Sequence, residues 1–181
     1  HLKFYRDCND GAVPQDSVAI IGAFDFSNNF IQADTLRLTN IVTLPIVSPD
    51  NCNLDSIQGL CYEIAHYTDT ITINPPTSGG IVFAYERCCL PLTLSNIDNP
   101  IGSGGGSVGI MLSTIISDVS VLNNNSSPSV VNDSNFVSCL QKDFEFDQSC
   151  FDPDGDSLEY KLITPYSTTR SGGPMIPFSP P

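Results

Sequence analysis

Apolar and polar residues alternate in short runs along most of the chain, and helical periodicity is nearly absent. In the first run Leu2, Phe4 and Cys8 share one face. Further runs cover residues 18–26, 36–44, 62–73, 81–89 and 108–122, each bounded by Gly, Pro, Asn or Asp, the residues that punctuate turns. Six such runs before residue 124 predict an all-β domain, a β-sandwich over residues 1–124. The glycine- and serine-rich stretch at 102–107 reads as a loop inside that domain. The polar cluster at 123–128 reads as a boundary, because no strand crosses such turn formers comfortably. Beyond it, strand signals appear at 130–137, at Phe144 and Phe146 alternating with Asp143, Glu145 and Asp147, and at Leu158, Tyr160 and Leu162. Three strands cannot close a sandwich, so residues 125–181 are expected to be the start of a second β-domain completed elsewhere.

Charge sharpens this picture. Seven Lys and Arg stand against twenty Asp and Glu, a formal net charge of −13, and sixteen of the acids are Asp. Such a field disfavours nucleic acid and anionic membranes, which demand clustered basic residues, and favours cations. No apolar run approaches the roughly 20 residues of a membrane-spanning helix, so no membrane insertion is expected. The seven cysteines include no C-x-x-C pair and have only two histidines for company, which points to disulfides rather than zinc and hence to an extracellular location. The chain begins inside a strand pattern at His1, so a longer protein is expected to precede it.

Adjacent strand residues face opposite ways, so Cys88 and Cys89 are expected to serve different partners. Ile81, Phe83 and Tyr85 set the odd positions inward, which puts Cys89 with Cys8 and predicts a Cys8–Cys89 bridge. Cys52 with Cys61 and Cys139 with Cys150 flank short segments and are expected as local bridges. Cys88 is left unpaired or intermolecular. The sharpest local motif is Asp152-Pro153-Asp154-Gly155-Asp156-Ser157-Leu158. Closely spaced carboxylates are hard oxygen donors suited to calcium, with Asp147 as a further ligand beside Asp152, Asp154 and Asp156. The plainer reading is a Pro-Asp-Gly turn with solvated aspartates. No nucleophile elbow, phosphate loop or dinucleotide fingerprint occurs, and a catalytic residue is not expected.

The segments Phe4-Tyr5-Arg6-Asp7-Cys8-Asn9, Tyr85-Glu86-Arg87-Cys88-Cys89, Asn125-Ser126-Ser127-Pro128 and Asp152 to Leu158 occur in an order that resembles large cell-surface proteins of Bacteroidota. Those are gliding-motility-associated adhesins with PKD-like or cadherin-like modules, exported by type IX secretion. The chain departs from that pattern after Pro75-Pro76, where Thr77-Ser78 stands in place of Cys and Trp, and at Leu90 in place of Arg. The resemblance implies that the second domain is Ig- or cadherin-like. It also implies that Asp followed by Ser or Thr and an aliphatic residue is an O-glycosylation signal, which marks Ser17, Thr35, Ser56, Thr70 and Ser157. The expected function is a structural or adhesive module of a surface protein or filament, with neighbouring modules, other copies or surface glycans as partners. The alternative is a carbohydrate-binding module of a secreted hydrolase, against which stands the absence of Trp.

Overall fold

The computed structural model describes residues 1–8, 14–44, 61–73, 80–87, 109–118, 125–131, 143, 145–163 and 166–168. These residues form nine strands: β1 (Leu2–Asp7), β2 (Val18–Asp25), β3 (Phe30–Leu44), β4 (Tyr62–Thr68), β5 (Ile81–Arg87), β6 (Gly109–Ile116), β7 (Ser129–Val130), β8 (Cys150–Phe151) and β9 (Tyr166–Thr168). The fold is all-β and sandwich-like, as the alternating pattern predicts. Strand order in the main sheet is β1-β4-β3-β2-β5-β6-β9, in which β1·β4, β3·β4, β2·β5, β5·β6 and β6·β9 pair antiparallel; β7 and β8 form a separate antiparallel pair.

The chain groups into two compact units, and both draw on residues from either side of position 124. One comprises His1–Ala19, Leu36–Thr70 and Ser126–Leu158. In it β1 runs against β4 with Leu2 opposite Tyr67 and Asp7 opposite Tyr62, and β4 runs against the second half of β3. Ala19, Leu36, Ile64, Ala65 and Tyr67 are its buried apolar residues. The buried Tyr67 ring keeps its hydroxyl satisfied by donating to the Asp16 carbonyl at 2.9 Å, as a buried phenol must. The β3·β4 register shifts between Leu38 and Asn40, and Thr39 at that irregularity donates its hydroxyl to the His66 carbonyl at 3.0 Å.

The other unit comprises Ile20–Thr35, Ile71–Asn125 and Glu159–Pro181. Ile81 and Phe83 are buried on the inward face expected for the odd positions of β5. Phe24, Ala84 and Met111, with Val82 against them, form a cluster on the opposite face, so these central strands are covered on both sides. That explains the continuous apolar run through Ile21, Ala23 and Phe24 where a one-sided strand would alternate. The β2–β3 turn is built by Asp25, whose carboxylate accepts the amides of Ser27 and Asn29 and the Asn29 side-chain amide, each at 2.8 Å. Asn28 takes the left-handed conformation there at φ 63°, which Asn tolerates better than branched residues. Phe24 meets Phe30 edge-to-face across the turn, with centroids 5.8 Å apart.

Several boundaries differ from expectation. β3 begins at Phe30 rather than at 36, because Gln32 and Asp34 satisfy one another at 2.6 Å and let a polar face enter the strand. The expected strand through Leu158, Tyr160 and Leu162 does not form. No ladder partner lies beside it among the described residues, Leu162 is fully exposed, and Tyr160 is 61% exposed, so the alternation there has no buried face to serve. β9 instead pairs with the start of β6, Gly109 opposite Thr168.

Candidate functional site

The chemistry-bearing residues of the first unit gather along the β1·β4 ladder. Continuing the register past Asp7 opposite Tyr62 brings Cys8 opposite Cys61, and the two are joined in a disulfide with Cα atoms 5.2 Å apart. The Cys8 amide also donates to the Cys61 carbonyl at 2.9 Å. This corrects two expected bridges, Cys8–Cys89 and Cys52–Cys61. β1 takes β4, not β5, as its ladder neighbour, and that register sets Cys8 beside Cys61. Cys52, Cys88, Cys89 and Cys139 lie outside the described residues, and with them the expected Cys139–Cys150 bridge; the Cys150 Sγ lies 3.7 Å from the Gln148 carbonyl oxygen.

Two residues before the disulfide, Arg6 sits directly across from Glu63 and its Nε donates to Glu63 Oε1, which also accepts Gln15 Nε2 at 3.2 Å. Both side chains are partly buried, 29% and 12% exposed, so this pair is less screened than a surface ion pair. At the other end of the ladder the His1 and His66 rings stack at 22° with Nε2 of His1 3.1 Å from Nδ1 of His66. Neither the Arg6 group nor the histidine pair is signalled by sequence proximity; only the strand register brings them together.

The aspartate motif folds as a turn. Asp152 is buried, its Oδ1 accepts the amides of Asp154 at 2.9 Å and Asp156 at 3.3 Å, and its carbonyl accepts the Gly155 amide at 3.2 Å. Gly155 adopts φ +81°, the left-handed geometry that the Asp-Gly step provides. Asp154 accepts the Ser126 amide through Oδ2 and so ties the turn to the segment before β7. Asp147 accepts the Ser149 amide at 2.9 Å, and that bond, followed by the Ser149 hydroxyl, holds its carboxyl below the usual range. The Asp147, Asp152 and Asp154 carboxylates thus each accept a nearby backbone amide. Among the described residues no three His, Cys, Asp or Glu side chains converge as a metal-holding group. Calcium takes six to eight oxygens, so a site at Asp147, Asp152, Asp154 and Asp156 would need donors beyond the contacts described for them.

No protein-family model matches the chain, and no curated protein or solved structure matches it either. Its reading therefore rests on its own residues. Of the sites marked for glycosylation, Ser17, Thr35, Thr70 and Ser157 are exposed, and Ser56 lies outside the described residues. Among those described, no helix is long and apolar enough to cross a membrane.

Proposed function

We propose that the chain is a structural or adhesive module of a large secreted bacterial surface protein, of the kind its motifs resemble. The observation that carries the reading is the Cys8–Cys61 bridge. Disulfides persist in oxidising compartments, and this one fastens β1, at the edge of the sheet order, to its neighbour. An edge strand held covalently resists being pulled from its ladder, which is what a load-bearing surface module requires. The acidic balance keeps such a chain soluble at the cell surface. Exposure of Ser17, Thr35, Thr70 and Ser157 fits O-glycosylation of that surface. In this reading the module's partners are adjoining modules of a longer chain or other copies, and its role is mechanical rather than catalytic.

The β2–β3 turn supports a second reading as a carbohydrate-binding module, because Phe26 and Phe30 are 52% and 61% exposed there. Two assays separate the readings. Adhesion of cells carrying the gene should fall on its deletion, with the protein recovered from the outer surface; a purified chain that binds a glycan array, with cells adhering normally after deletion, would favour the second. Mass analysis of surface-derived protein is expected to show hexose additions on peptides containing Ser17, Thr35, Thr70 or Ser157, and unmodified peptides would remove the glycoprotein element.

A further inference from the structure

The chain has two histidines, 65 positions apart, and the fold puts them in contact. Lys3 pairs with His66 across the β1·β4 ladder, so His1, two residues before Lys3, lies diagonally on the same face. The facing nitrogens, Nε2 of His1 and Nδ1 of His66, are 3.1 Å apart in a solvent-open pair. Two nitrogens bound to one zinc ion at about 2.05 Å and tetrahedral angle are about 3.3 Å apart, and a square arrangement brings them to about 2.9 Å. The observed separation falls between these values.

We propose that His1 and His66 form a two-imidazole site for a borderline divalent transition metal, with zinc as the reference ion. In the metal-free pair one ring donates its proton to the other. On binding, that proton moves to the far nitrogen of the donor ring, both facing lone pairs go to the metal, and a neutral pair loses no proton and changes no oxidation state. No third His, Cys, Asp or Glu converges among the described residues, so the two imidazoles are the protein ligands the site needs and water is the natural donor for further positions. Lys3, across from His66, opposes the cation, while the net charge of −13 attracts it. The affinity is accordingly set far below that of a four-ligand structural zinc site. The ladder supplies what an unfolded chain lacks, a fixed spacing between ligands on different strands.

The test is a zinc titration of the N-acetylated chain, which silences the α-amino donor of His1, followed by NMR of the two imidazole rings. Both rings should shift together and saturate at the same zinc concentration. His1→Gln and His66→Gln should each raise the zinc concentration needed to shift the remaining ring by about tenfold or more. Rings that do not move, or a remaining ring that responds in either variant at the wild-type concentration, would overturn the site. The wild-type titration decides the matter alone if a variant fails to fold.

Discussion

Gly80 leads into β5 beside the end of β6, at φ +100° and with the Ile116 carbonyl oxygen only 2.4 Å from where a Cβ would lie. Backbone cannot yield as a flexible side chain does, so Gly80→Ala should cost about 1 to 3 kcal/mol in chemical denaturation. Gly155, at φ +81° with open space around it, isolates the conformational part, and Gly155→Ala should cost about 1 kcal/mol, less than at Gly80. Equal losses at the two sites would contradict the close approach at Gly80. Asp25 gives a pH signature. Bonds from the Asn29 side chain and then the Asn29 amide, with a lesser one from the Ser27 amide, hold its carboxyl below the ordinary range against an opposing loss of solvation. A folded-state value lowered in this way contributes stability above the unfolded value, and that stability is lost as pH falls through the folded one. Asp25→Ala should therefore lower the melting temperature near neutral pH, with the difference from wild type shrinking in acid. Glu86 runs the other way: burial raises its carboxyl, so stability declines as pH rises from the unfolded value through the folded one. A Glu86→Gln variant is expected to flatten that decline in a melt-versus-pH series.

At the scale of elements, the runs at 18–26 and 81–89 were legible because a period-two pattern with turn residues at its ends has few other readings, and β2 and β5 occupy them. Pairing was harder to read. Parity assigns a face but does not say which strand lies alongside, and β4 rather than β5 lies beside β1. The first half of β3 was hidden by Gln32 and Asp34, whose mutual bond makes polar residues acceptable in a ladder. The Leu158 to Leu162 alternation misled for the opposite reason, since alternation marks a strand only where a face is covered. The aspartate motif was readable as a turn from Asp-Gly alone; that the Asp152 and Asp154 carboxylates accept nearby amides became visible only from the geometry. In the β2 and β5 strands the buried Phe24 should dominate, and Phe24→Ala is expected to cost about 3 to 5 kcal/mol by equilibrium unfolding.

For the molecule as a whole, the amides accepted by Asp147, Asp152 and Asp154 predict that a calcium-selective chelator leaves the melting temperature unchanged; a clear drop would show bound calcium by mass action. Stability is expected to depend on oxidation instead. The Cys8–Cys61 bridge closes a separation of 53 positions, for which loop entropy gives a stabilisation of about 4 kcal/mol as a ceiling. Cys8→Ala and Cys61→Ala should each cost about 2 to 4 kcal/mol and the double variant little more, since either change removes the same bond. The central claim, an oxidised surface module whose first strand is fastened to β4, is tested most directly by disulfide mapping of protein taken from the cell surface. Non-reduced peptide mass spectrometry should recover one linked peptide joining Cys8 to Cys61. Cys8 found as a free thiol, or linked to Cys89, would contradict it.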